Sequence, residues 1–113
     1  MRYRIIYAGA FFMILFFFCP GAVIAQENSY TIIIKDHHFS PVPLKIPAGQ
    51  KVKIIIDNQD PTAEEFESAA LNREKVVSGG KKATIFVGPL KPGSYKYFGE
   101  FHEKTAQGVI VAE

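Results

Sequence analysis

Lys51-Val52-Lys53-Ile54-Ile55-Ile56-Asp57 alternates polar and apolar residues before becoming wholly apolar, and no other pattern restricts this chain so much. A period of two places successive side chains on opposite faces of a strand and offers no stripe for a helix to bury. The pattern recurs along the chain. Tyr30-Thr31-Ile32-Ile33-Ile34 is rich in β-formers, and Pro47-Ala48-Gly49-Gln50 turns the chain between Leu44-Lys45-Ile46 and the Lys51 run. Residues 83–87 and 94–98 flank the turn signal Pro89-Leu90-Lys91-Pro92-Gly93, and residues 107–112 supply a last strand. Only residues 62–75 have any helical flavour, with a short turn expected at Ala69-Ala70-Leu71. The expectation is an all-β domain, a Greek-key β-sandwich of seven to eight short strands.

The front of the chain follows different rules. Arg2 and Arg4 precede an uncharged stretch over residues 5–25 dominated by Ile, Leu and Phe, broken at Pro20-Gly21. Val23 and Ala25 suit a signal-peptidase cut before Gln26, so residues 1–25 are expected to be a signal peptide. The uncharged run is also just long enough for an uncleaved anchor. Bulky Phe18 before Cys19 speaks against lipoprotein processing. On either account residues 26–113 form one folded domain outside the cytoplasm, in a periplasmic or equivalent compartment.

Composition then excludes several functions. The chain has 13 basic and 11 acidic residues, and losing Arg2 and Arg4 leaves 11 of each. No basic footprint for nucleic acid remains. The single cysteine and both methionines lie in the leader, and there is no tryptophan. Disulfides, thiolate nucleophiles and soft sulfur ligands are therefore missing from the domain, and no Ser-His-acid grouping points to a hydrolase.

Several pieces in order resemble the cupredoxin family: Phe39-Ser40-Pro41, Ile46-Pro47-Ala48-Gly49, Asn58-Gln59-Asp60, Pro89-Leu90-Lys91-Pro92-Gly93-Ser94-Tyr95, and the terminal loop Gly99-Glu100-Phe101-His102. The likeness covers residues 29–112. Glu64-Glu65-Phe66-Glu67-Ser68 and Leu71-Asn72-Arg73-Glu74-Lys75-Val76-Val77 further resemble small periplasmic cupredoxin-like proteins that accompany bacterial ferrous-iron permeases. The resemblance implies a β-sandwich of cupredoxin type and a metal-binding partner of a membrane iron permease, or of another periplasmic metal or electron-transfer protein. It leaves open whether the chain oxidises iron, as a ferroxidase would, or only carries a metal.

Blue-copper sites use one histidine, then a Cys-x-x-His loop, then a weak axial Met. On the family pattern the first histidine falls on Glu64, or on Glu65 if the loop is one residue longer. The cysteine falls on Gly99, the second histidine on His102, and the methionine on or near Ala106. No blue charge-transfer band is expected. What remains is a set of hard ligands, with Glu64, Glu65 and Glu67 beside one strand end and Glu100 and His102 on the facing loop. Such a set suits copper in its oxidised state or iron, and also zinc or manganese. Crowded carboxylates also raise one another's pKa unless a cation neutralises them.

Each of these residues has an ordinary alternative. Strict alternation puts Glu65 and Glu67 on the face opposite Phe66, where glutamates are usually solvated. His37 and His38 read as a polar turn, and if one reaches the pole it is His37, on strand parity with Phe39. Asp36 and Asp60 read as turn formers, and Arg73-Glu74-Lys75 as a solvated strand. Gly99 either lets backbone approach closely or leaves a gap for an ion. A metal-free module docking a basic partner through a carboxylate-rich pole is the competing function, and the oligomeric state is not legible.

Overall fold

The computed structural model describes residue 14 and residues 29–113, so the signal-peptide expectation lies outside the described residues. Nine strands and one 3-10 turn follow in order: β1 (Ser29–Lys35), β2 (His38–Ser40), β3 (Leu44–Ile46), β4 (Val52–Asn58), β5 (Glu64–Ser68), β6 (Arg73–Val77), β7 (Lys82–Val87), β8 (Gly93–Gly99), the 3-10 turn Glu100–His102, and β9 (Gln107–Ala112). They form a four-stranded sheet, β2-β1-β4-β7, and a five-stranded sheet, β3-β9-β8-β5-β6. β1 runs parallel to β4 and β3 parallel to β9, while the remaining pairs are antiparallel.

The all-β expectation holds, with nine strands rather than seven to eight. The addition is β2, which the polar His37-His38 pair concealed. The helical flavour of residues 62–75 is corrected. β5 and β6 form a hairpin there, turning at residues 69–72. Local helix propensity at Ala69-Ala70-Leu71 is weak beside a ladder of paired backbone groups.

Alternation sorts the side chains as the sequence pattern requires. β4 buries Val52, Ile54, Ile56 and Asn58 and leaves the residues between them half-covered. Val52, Ile54 and Ile56 join Ile32, Ile34, Phe39, Phe66, Tyr97 and Ile110 in one core. Phe66 stacks on Tyr97 at 4.8 Å between ring centroids, and Phe39 meets Tyr97 edge-on at 5.0 Å. The two sheets and this core all lie within residues 29–113, so the domain carries its own core. Phe39, Phe66 and Tyr97 thus form an aromatic trio within this core.

Candidate metal centre

Glu64 opens β5 with only 1% of its surface exposed. It shares the inward face with Phe66, because the two are an even number of residues apart. Its carboxylate is engaged on three sides: Oε1 accepts the backbone N–H groups of Phe101 and Glu65, each at 3.0 Å, and Oε2 lies 2.5 Å from His102 Nδ1. In the last contact the ring N–H donates to the carboxylate. His102 ends the 3-10 turn after β8, which places its ring above β5.

Gly99 explains how a carboxylate fits here. A Cβ at that position would lie 2.6 Å from both Glu64 Cδ and Ala106 Cβ, and 2.7 Å from Glu64 Oε1. Any side chain at position 99 would therefore compete with the Glu64 carboxyl for space. The gap is filled by Glu64, and the fully buried Ala106 closes it from the other side, its carbonyl accepting the Gly99 N–H at 2.8 Å. The structure also settles the register left open by the sequence. Glu64, not Glu65, faces His102.

His37 joins this pair from the opposite sheet. Its ring stacks on His102 with centroids 3.6 Å apart and planes 13° from parallel. Donor atoms of His37, Glu64 and His102 all lie within 4.8 Å of one another. Of His37 and His38 it is His37 that lies beside Glu64 and His102, and strand parity is not the cause. Asp36 and His37 are the central residues of the β1–β2 hairpin, with φ of 51° and 59°. Positive φ at both positions is what a two-residue type I′ turn requires, and Asp and His are among the residues that tolerate it. The expected polar turn and the expected placement are thus the same feature. His38 is exposed, with Nδ1 2.7 Å from the Asp36 carbonyl.

Asp60, read only as a turn former, holds that turn in place. Its Oδ1 accepts the Asp36 N–H at 2.7 Å and its Oδ2 the His37 N–H at 3.0 Å. Burial pushes the Asp60 carboxyl up, but the two backbone donors and the nearby His37 and His102 rings outweigh it and lower its pKa.

Glu65, Glu67 and Glu100 are not gathered with Glu64. They form a second cluster with Glu74 on the outer face of the five-stranded sheet. β5–β6 register sets Glu67 directly opposite Glu74, so like charges face each other across the ladder. Hydrogen bonding to Glu100, partial burial and the charges of Glu100, Glu74 and Glu65 raise Glu67 to about 7. Burial first, then Glu100, raise Glu65 as well. Glu74 lies on the exposed strand expected for Arg73-Glu74-Lys75, yet pairing brings it into the cluster. Half-exposed Phe101 lines a surface depression with His37, His102 and Glu103.

A sulfur-free donor set does not fit a blue-copper centre. One carboxylate and two imidazoles do fit iron, zinc or oxidised copper. A carboxylate has about four lone-pair directions, and Glu64 uses three of them within the protein.

Fold and loop arrangement together define a cupredoxin-type domain. Residues 8–112 match the cupredoxin-like domain family, and the chain belongs to that family. An uncharacterized protein of Rickettsia prowazekii (strain Madrid E) is 50% identical over 80 residues, covering 71% of this chain, and the chain spans only 64% of that relative's length. Among solved structures, the metal-binding domain of a Cu(I)-exporting P-type ATPase of Streptococcus pneumoniae D39 aligns with TM-score 0.66 at 13% identity, covering 75% of this chain and 84% of that one. Auracyanin A, a blue copper protein of Chloroflexus aurantiacus, aligns with TM-score 0.64 at 15% identity over 75% of this chain and 98% of its own. A purple cupredoxin of Nitrosopumilus maritimus aligns with TM-score 0.57 at 22% identity, covering 74% and 98%. At these identities the likeness concerns the fold.

Proposed function

We propose that this chain is an extracytoplasmic metal-binding protein that holds iron or copper at a sulfur-free site of Glu64, His102 and His37 and serves a membrane permease. The observation that carries this is the exchange at Gly99. The position that bears the thiolate in blue-copper loops is emptied, and a buried carboxylate occupies the space beside a retained histidine. Two imidazoles with one carboxylate and open positions are a donor set suited to ferrous iron. A redox-active ion held here would offer one-electron chemistry, and the carboxylate favours its more highly charged state.

The protein's own residues define how cargo is held. Glu64 is fixed from behind by two backbone donors, so its position does not depend on the ion. The histidines are the accessible part, with side chains 42% (His37) and 29% (His102) exposed. Exposure on that side suits delivery to a partner, and the apolar leader supports placement at a membrane surface. Oxidation of the cargo would need an electron acceptor in the partner, so a carrier is the simpler form of the proposal.

One observation favours a metal-free docking module. Glu64 and His102 satisfy each other at 2.5 Å, whereas two donors sharing an ion through bonds of about 2.0–2.2 Å stand roughly 3 Å or more apart. An entering ion must therefore separate the pair. Thermal melts of residues 26–113 with Fe(II), Cu(II), Zn(II) or Mn(II) decide between the two. Metal at 100 times its Kd stabilises by about 2.7 kcal/mol, a rise on the order of 10 °C for a domain of this size. His102→Ala is expected to abolish the rise. No shift with any of the four metals at micromolar concentration sinks the metal site, and an intense blue band with Cu(II) contradicts the ligand set.

A further inference from the structure

Asp60 is not among the donors that converge at the pole, yet it touches His37 at two points. Oδ2 accepts the His37 N–H at 3.0 Å and also lies 3.4 Å from His37 Nδ1. Through Oδ1 it takes the neighbouring Asp36 N–H as well. Both N–H groups belong to residues with positive φ, a conformation that L residues other than glycine adopt only at a cost. One carboxylate therefore satisfies both donors of the turn that carries the histidine.

Asp60 is itself anchored. Its N–H donates to Asn58 Oδ1 at 3.0 Å, and its carbonyl accepts the Gly80 N–H at 2.9 Å. Fully buried Asn58 ends β4 and donates its amide to the carbonyls of Thr62 and Val77, at 2.9 and 3.0 Å. A continuous set of hydrogen bonds thus runs from the core end of β4, through Asn58 and Asp60, to the His37 turn. On its far side the His37 ring rests on His102. The same Asn58 amide ties down the loop that enters β5, so Glu64 and His37 are referenced to one buried side chain.

We propose that Asp60 is a positioning residue of the metal site, fixing the Asp36-His37 turn over His102 and selecting the His37 tautomer that keeps its proton on Nδ1. The inference rests on the metal-site reading above. A carboxylate beside one ring nitrogen attracts the proton to that nitrogen, which leaves the lone pair on the other. His37 Nε2 is then the atom offered to an ion. Glu64 gives up its contact with His102 Nδ1 when an ion enters, whereas Asp60 keeps both oxygens on backbone donors and stays beside His37.

The test uses Cu(II) as the probe on residues 26–113, comparing wild type with Asp60→Asn, His37→Ala and His102→Ala. Loss of such a supporting carboxylate typically costs 10–100-fold in metal affinity, and Asp60→Asn is expected to fall in that range. Pulsed EPR of the Cu(II)-loaded protein is expected to count two coupled imidazoles in wild type and one in both Asp60→Asn and His37→Ala. A purely structural role would lower the melting temperature and leave that count at two. Wild-type affinity with two imidazoles in Asp60→Asn overturns the positioning role while the metal site stands. Failure of the wild type to bind Cu(II) overturns both. Should Asp60→Asn not fold, the nitrogen shifts of His37 in the metal-free wild type decide, because a proton on Nε2 overturns the proposal.

Discussion

Alternate residues of β5 enter two clusters, one of a single carboxylate with two imidazoles and one of four carboxylates, that share a strand and little else. Glu64 faces inward, nearly inaccessible, with three donors on its two oxygens. Glu65 and Glu67 face outward among Glu74 and Glu100, where the neighbours are carboxylates and raise their pKa values. The amino-acid type is the same, so the difference arises from strand parity and from what the facing loop presents. On the inner face that loop presents the Phe101 N–H and the His102 imidazole, and on the outer face another glutamate, Glu100. The glutamates of β5 are thus two chemical objects, one surrounded by hydrogen-bond donors and the others by carboxylates.

The sharpest way to break this comparison is to delete one member of each cluster. Glu64→Ala removes the acceptor for the Phe101 and Glu65 N–H groups and for His102, and leaves space beside Gly99. Unsatisfied buried donors cost about 1–3 kcal/mol each, so a loss on the order of 3 kcal/mol is expected in urea unfolding of the metal-free domain. Glu67→Ala removes a group that its neighbours oppose and is expected to cost nothing measurable. Equal losses for the two variants would show that parity does not separate the clusters.

Gly99→Ala sharpens the inner half of the comparison, with a somewhat smaller effect. The added methyl meets Ala106 Cβ and Glu64 Cδ at 2.6 Å. Ala106 is held by the backbone bond to Gly99 and cannot retreat, so the Glu64 carboxyl must move. Overpacking of this kind costs about 1–3 kcal/mol. Metal-dependent stabilisation should fall together with apo stability, since the same carboxylate serves both. Unchanged metal affinity in Gly99→Ala would mean that Glu64 is not a ligand.

Much of this was legible in the sequence, and the exceptions have physical causes. Alternation in Lys51–Asp57 and the Pro/Gly punctuation announced the sandwich, because period and turn chemistry are local. The family order pointed to His102 and to either Glu64 or Glu65, and β parity already set Glu65 and Glu67 apart from Phe66. Asp60 was hidden because its partners lie 23 and 24 residues away, and no local pattern encodes a side chain bridging two turns. Glu74 was hidden in the same way, joining Glu67 only through hairpin register. Asp36-His37 did carry a local signal, two residues tolerant of positive φ between strand-forming runs. A two-residue hairpin was readable there, and it would have given both β2 and the position of His37.

The outer cluster makes the smallest prediction, and its sign follows from the raised Glu67. In the folded domain this group takes up a proton at about 7, against an ordinary value of 4.5. Folding is therefore linked to proton uptake. The contribution of this group to stability is fully present below the ordinary value and is lost as pH rises through about 7. The metal-free domain should accordingly gain melting temperature as pH falls from 8 to 5, over a window that lies above the range in which Asp60, with its lowered pKa, begins to lose its charge. Glu67→Gln should flatten that slope by removing the group and by relieving Glu65 of one neighbour, and it should raise the melting temperature most at pH 8. An equal slope in the variant would place the pH dependence in the inner cluster instead. The two faces of β5 would then have to be reassigned, with the histidine side responding to protons and the glutamate side inert.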